Sequence, residues 1–233
     1  MLQARHTQDE KVEVGIDEAG RGCLWGPLFA AAVVWPAEET WTDELRALSA
    51  QIKDSKKVTP KRRAVLEAAI QQHAVAWGIG RVEATEIDSL GMTRSNRLAF
   101  QRALEAVTAK GVRPDRILID GILGLTEDVV AGREQIIVTK GDATYLTIAA
   151  ASILAKEGHD RVVRTLCEEQ PELHERYGLL SSKGYGTAAH QAAIRRYGMH
   201  TEHRKLFLRK LLGLNHTVGG DVQDGPIYNF LED

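Results

Sequence analysis

The alternation and clustering of apolar residues along this chain predict a mixed set of strands and helices. "VEVGID" alternates from Val12 and runs into a glycine-rich turn, so a strand is expected to end near Asp17. "LFAAAVVWP" predicts a second strand stopped by Pro36, and antiparallel pairing through the turn is the simplest connection. In "DSKKVTPKRRAVLEAAIQQHA", Thr59 is placed to cap a helix with Pro60 at its first position, and Val65, Leu66, Ala69 and Ile70 form its apolar stripe. "AVAWGIGRVEA" predicts another strand. The clearest helix is "TRSNRLAFQRALEAVTAKG", where Leu98, Ala99, Ala103, Leu104 and Val107 share a face and Gly111 falls at the C-terminal end. "PDRILIDG" and "EQIIVTKGD" each predict a strand ending at or near an acid. The Ala-rich run from Thr147 to Asp160 has strong helix propensity, and "GTAAHQAAIRRYG" and "EHRKLFLRKLLG" read as two more helices. Strands first, then strands alternating with helices, then helices, predict an α/β protein: a mixed sheet with a helical C-terminal extension.

Composition narrows the class. At 233 residues, 43% hydrophobic, the chain can bury one substantial core. Residues 1–11 read as a flexible polar lead-in, and "NHTVGGDVQDGPIYNFLED" carries enough turn formers for an irregular tail over 213–233. Two cysteines, Cys23 and Cys167, are too few for a disulfide scaffold and lack zinc-site spacing. No apolar run reaches the ~18 residues needed to span a bilayer, and no signal peptide is evident, so a cytoplasmic protein with no membrane partner is expected.

Three predicted strand ends carry acids: Asp17 with Glu18, Asp120, and Asp142. In open α/β sheets the C-terminal ends of adjacent strands converge on one edge where ligands bind. Four carboxylates gathered there would repel, by about 4 kcal/mol for a pair ~4 Å apart at an effective dielectric of ~20, unless a cation joined them. Hard oxygen donors suit Mg²⁺ or Mn²⁺, and a pair of such ions suits phosphodiester hydrolysis. Each acid taken alone is as readily a strand terminator or a helix cap, as Asp142 is placed to be. A fifth acid, Asp160, lies well along the predicted helix and is assigned to a salt bridge.

Local charge adds a second theme. Formal charge is only −2, yet bases cluster at Lys53–Arg63, around Lys183, and from Arg195 to Lys205, which suggests a polyanion-binding surface. Gly20-Arg21-Gly22, directly after the acid pair, lets a backbone approach a phosphate or ribose closely. Tyr185, between Gly184 and Gly186, is expected to be exposed and free to stack on a sugar or base.

In order along residues 12–207, "GIDEAGRGCLWGPLFAAAVV", "DSKK", "ILIDG", "KGDATYLTIAAASILAKEGHDR", "KGYGTAAHQ" and "HRKLF" resemble bacterial ribonuclease HII, of the type 2 ribonuclease H family. The resemblance implies a ribonuclease H-like fold, with a five-stranded mixed sheet, over a catalytic domain at 12–212. It implies a monomer that cleaves RNA in RNA–DNA hybrids and cuts 5′ of single ribonucleotides in duplex DNA by two-metal-ion catalysis with Mg²⁺ or Mn²⁺. Asp17, Glu18, Asp120 and Asp142 match the family's catalytic, metal-binding carboxylates. Gly20, Arg21 and Gly22 match the segment that reads the 2′-hydroxyl, and Tyr185 the tyrosine that stacks on the following deoxyribose. Lys56, Lys57, Lys183 and Arg204 also fall in matching motifs and are read as contacts to backbone phosphates, a role less sharply assigned than the others. The tail "DGPIYNFLED" is weighed as a weak peptide contact to a replication clamp against a frayed end. Two departures, Gly91 in place of an Asn and Glu157-Gly158-His159, put in question the loop before Thr93 and the continuity of the helix through Gly158. Two rivals use the same residues: a metal-dependent phosphatase or phosphotransferase, opposed by the basic runs and Tyr185, and a non-catalytic hybrid-binding module, opposed by the presence of all four carboxylates.

Overall fold

The first two strands form the expected hairpin. β1 (Glu13–Ala19) runs antiparallel to β2 (Leu28–Val34), with Asp17 opposite Ala31 and Glu18 opposite Ala30. The computed structural model describes residues 2–53 and 55–213. After the hairpin come α1 (Asp43–Ser49), α2 (Pro60–His73), β3 (Ala76–Val82), α3 (Ala84–Leu90), α4 (Met92–Thr108), β4 (Arg116–Asp120), α5 (Glu127–Val130) and β5 (Glu134–Val138). The long α6 (Leu146–Glu169) leads into α7 (Pro171–Tyr177), α8 (Leu179–Ser182), α9 (Ala188–Tyr197) and α10 (Lys205–Leu208). The sheet order is β3-β2-β1-β4-β5, with β1, β4 and β5 mutually parallel and β2 antiparallel to both its neighbours. Thr59 caps α2 as expected, its side chain accepting from the Arg62 N–H.

Side chains alternate across the pleat. Val14, Ile16, Ala30, Ala32, Ile117 and Ile119 pack against Phe100, Ala103 and Val107 of α4. Ala31 and Val33 face Leu66 and Ile70 of α2 and Ala150, Ile153 and Leu154 of α6 on the other side. Both helices press close to the sheet because glycines lie beneath them: a Cβ on Gly15 would fall 2.3 Å from the Thr147 carbonyl carbon, and one on Gly80 1.9 Å from the Ala99 oxygen. A third apolar cluster joins Trp25, Val163 and Cys167 to Leu173, Leu179, Ile194 and Leu208, and seats the C-terminal helices on the distal half of α6.

Several expectations change. β1 continues two residues past Asp17, so both acids lie within the strand. α6 runs unbroken through Gly158, which packs so close to the Phe29 ring that a Cβ would approach to 2.9 Å. "EHRKLFLRKLLG" yields only the single turn of α10, because His203 and Arg204 are drawn into extended pairing with residues 24–26. The lead-in is anchored rather than loose. Gln3 bridges Tyr145, Leu2 packs on the core, and Asp9 joins Glu13 and Glu134 around the buried guanidinium of Arg116. Among the described residues no helix is long and apolar enough to cross a membrane. Apart from Gly213, the tail and the clamp peptide weighed there lie outside the described residues.

Candidate active site

Consecutive positions on a strand face opposite ways, so the acid pair straddles the sheet edge. Asp17 lies on the α6 side, where Ser152 favours its ionised form. Glu18 lies on the α4 side beside Asn96, which does the same for it. Asp120 closes β4 one step beyond the last β1–β4 pair, Ile16 with Ile119, and so stands next to Asp17. Its carboxylate accepts from the Gly141 N–H at 2.6 Å and from the Asp142 N–H, which ties the Asp142 turn to the end of β4. The Asp17 carboxylate turns back to accept the Glu18 N–H at 2.7 Å.

The electrostatics are unfavourable for bare carboxylates. Burial raises the pKa of Asp17 well above the ordinary range, and the charges of Glu18 and Asp120 raise it further. Burial lifts Glu18 to about 7, against the pull of Arg21, whose guanidinium is 3.7 Å away. Asp120 is raised by burial although three backbone N–H groups oppose the shift. Among the described residues, no three His, Cys, Asp or Glu side chains close around one point as a formed cation cage. The donor set fits a hard divalent ion: buried oxygen ligands whose charged forms only a cation can compensate.

The remaining predicted residues divide. Gly20 has a left-handed backbone (φ +82°), and a Cβ there would come 2.4 Å from the His159 ring, so only glycine lets the loop settle on that ring. Gly22 is exposed with open space around it, leaving its backbone accessible. Tyr185 is 37% exposed, its ring centroid 6.2 Å from His159 and 5.2 Å from Lys156 Nζ. Lys56, in the turn Ser55–Lys57, is exposed and its charge opposes the shifts of Glu18 and Asp120. Lys57 closes the same turn. Lys183 ends α8 in a left-handed conformation, and its carbonyl accepts from the Cys23 thiol at 3.5 Å.

Arg204 corrects the sequence reading. It is fully buried, with Nε on the Gly26 carbonyl at 2.8 Å and Nη1 on the Arg21 carbonyl at 3.0 Å, so it braces the Gly20–Gly26 loop from within and reaches no surface phosphate. Asp160 joins a buried knot: Arg63 bonds it at 2.8 Å and Glu157 at 2.7 Å. Burial alone would raise the Asp160 pKa, but His159 and Lys156 bring it down to about 2. Ser152 and Asn96 carry no signal in the sequence, because each is an isolated polar residue on an apolar helical face, and His159 stands out there only as part of the Glu157-Gly158-His159 departure.

A five-stranded mixed sheet with acids at the C-terminal edge of two central parallel strands, helices on both faces and a helical extension beside that edge is the architecture of a ribonuclease H-class enzyme. The solved structure of ribonuclease H2 from Pyrococcus horikoshii OT3 superposes with a TM-score of 0.67 at 26% identity, over 85% of this chain and 96% of that one. Bst-RNase HIII in complex with Mn²⁺ gives 0.64 at 22% identity, over 90% and 71%, a likeness of fold. The family described as Ribonuclease HII matches residues 14–210, and a ribonuclease HII of Synechococcus sp. (strain CC9902) is 43% identical over 199 residues, 85% of this chain and 93% of the relative. The chain belongs to the ribonuclease HII family.

Proposed function

We propose that this chain is an endoribonuclease that hydrolyses the RNA strand of RNA–DNA hybrids and cuts 5′ of single ribonucleotides embedded in duplex DNA. The products would carry 3′-hydroxyl and 5′-phosphate ends. The observation that carries the reading is the juxtaposition, on one strand and its outgoing turn, of the buried acids Asp17 and Glu18, whose pKa values are raised, with the Gly20-Arg21-Gly22 turn, whose Gly22 is exposed. Asp17, Glu18, Asp120 and Asp142 would hold Mg²⁺ or Mn²⁺, in line with the ribonuclease HIII neighbour, itself solved in complex with Mn²⁺. A pair of such ions, when bound, supplies an activated water and stabilises the leaving oxygen.

Each remaining role follows from local geometry. Only the 2′-hydroxyl marks a ribonucleotide at a given position, and reading it calls for backbone groups at close range, which the exposed Gly22 offers. Arg21 and Lys56 flank the acids and supply positive charge for the phosphates on either side of the scissile bond. The half-exposed Tyr185 ring offers a stacking platform for the next sugar, where a second 2′-hydroxyl would be crowded. Ser152 beside Asp17 and Asn96 beside Glu18 oppose, in part, the rise that burial imposes on those acids.

An end-labelled duplex with one embedded ribonucleotide tests the reading, incubated with and without Mg²⁺ or Mn²⁺. Cleavage 5′ of the ribonucleotide only with the metal is expected. Binding without cutting, or turnover of a small phosphate monoester instead, would overturn it.

A further inference from the structure

The turn that carries Tyr185 is held from behind by two fully buried histidines, His190 of α9 and His203. Their Nε2 atoms are 3.1 Å apart. His190 Nδ1 lies 2.9 Å from the Tyr185 carbonyl, and the His200 backbone N–H meets His203 Nδ1 at 2.8 Å. Neither ring bonds a carboxylate among the described residues, and the Tyr177 ring, 4.9 Å from that of His203, spends its hydroxyl on the Gly198 carbonyl.

Proton positions follow from the fixed backbone groups at each end. A backbone N–H can only donate, so His203 Nδ1 accepts and its proton sits on Nε2. That proton points at His190 Nε2, which must accept, and leaves the His190 proton on Nδ1, aimed at the Tyr185 carbonyl. Every contact is satisfied by two neutral rings and by one tautomer of each. Any other assignment sets two N–H groups or two lone pairs against each other at about 3 Å.

The same segment reaches the other half of the proposed recognition surface. His203 bridges Trp25, the Leu24 carbonyl accepts from the Arg204 N–H at 2.8 Å, and the Arg204 side chain bonds the Arg21 and Gly26 carbonyls. On its other side the 23–25 stretch pairs with the Tyr185 turn, through a Cys23–Tyr185 bridge and the Leu24 N–H on Gly184 at 2.9 Å. The Gly-Arg-Gly loop and the Tyr185 turn therefore share one brace.

We propose that His190 and His203 are positioning residues: a neutral hydrogen-bonded relay, running from the His200 N–H to the Tyr185 carbonyl, that sets the Tyr185 turn against the Gly20-Arg21-Gly22 loop and so sets the preference for a ribonucleotide followed by a deoxyribonucleotide. The inference rests on the stacking role given to Tyr185 above. Long-range ¹H–¹⁵N spectra of the full chain at pH 7.5 read the relay directly, with His190 protonated at Nδ1 and His203 at Nε2. The reverse tautomers, or a cationic ring, overturn it without any variant being made. In kinetics, His190→Ala should reduce cutting at a lone ribonucleotide relative to a continuous hybrid by about tenfold, since small misplacements carry large rate penalties. His190→Asn, whose amide N–H replaces the Nδ1 donor, should restore most of that ratio, and His190→Gln should not. Equal losses on both substrates for His190→Ala, while Tyr185→Ala still shifts the ratio, would overturn the relay alone. No shift in Tyr185→Ala would overturn the stacking role, and the selectivity claim with it.

Discussion

The two ends of β1 and β4 solve opposite problems with the same residue types. At the N-terminal end Glu13 pairs in register with Arg116, whose guanidinium meets Glu13 at 2.5 Å, Asp9 at 2.6 Å and Glu134 at 2.8 Å. Charges there are compensated: Arg116 holds down the pKa of Asp9, and Lys11 with Arg116 that of Glu134. At the C-terminal end, four residues along the same strands, burial raises the pKa values of Asp17, Glu18 and Asp120, the charges of Glu18 and Asp120 raise Asp17 further and that of Asp120 raises Glu18, and the side-chain cations set against them are Arg21 and Lys56. Satisfied ion groups at one end and unsatisfied ones at the other, on strands with one shared core, separate what holds the sheet from what it presents. Unrelieved charge that the fold retains marks a functional edge.

The sharpest break in that comparison is Asp17→Asn. Removing one carboxylate should lower cleavage by about 10³-fold, the scale on which key electrostatic groups act, while hybrid binding persists. The same variant should raise metal-free stability, because it removes repulsion; a lower Tm without metal would show that Asp17 serves the fold after all. Arg116→Met should do the reverse. Stranding the buried Glu13 carboxylate is expected to lose about 3–5 kcal/mol in urea melts, with the turnover of the folded fraction unchanged. A third measurement joins the two ends: Mg²⁺ or Mn²⁺ at about 100 times its Kd should stabilise the wild type by about 2.7 kcal/mol. Asp120→Asn should abolish most of that gain and Arg116→Met should leave it intact.

Much of this was legible in the residues. Strand-end acids followed by Gly-Arg-Gly stand out because strands favour apolar residues, so a carboxylate there calls for another explanation. The order of strands and helices gave the mixed sheet and its helical extension for the same reason: periods of 2 and 3.6 survive where one face is buried. What could not be read depends on distant partners. Arg204 looks like any solvated base in "HRKLF", and only the packing of that segment against residues 21–26 turns it inward. His203 falls within a helical pattern that pairing with Trp25 overrides. Asn96 and Ser152 are single polar residues on apolar faces, indistinguishable in sequence from ordinary helix surface. The short helices α1, α3, α7 and α8 have too few turns to show a period.

The smallest expected effect is a change of slope, and it separates the acid edge from the histidine brace. Glu18 has a folded pKa of about 7, above its unfolded value near 4.5, so its neutral form favours folding; that contribution is complete below about pH 4.5 and is lost as pH rises toward 7. Asp17 acts in the same direction. His203 is opposite: burial first, then the neighbouring His190 and His200, bring its folded pKa down to about 3 from an unfolded value near 6.5, so its contribution is present above 6.5 and is lost as pH falls. His190 and His159, lowered by burial as well, act with His203, so between pH 7 and 5 the acids and the histidines pull in opposite directions in the metal-free protein and Tm moves less than either set alone would move it. A cation that saturates the acids even at the lower pH takes their protons out of the balance and leaves the buried histidines, worth ~1.4 kcal/mol per pH unit for each proton taken up on unfolding. Tm should then fall on acidification more steeply with Mg²⁺ or Mn²⁺ than without it. Parallel curves would mean that the edge at Asp17, Glu18 and Asp120 holds its charge as comfortably as the end at Arg116.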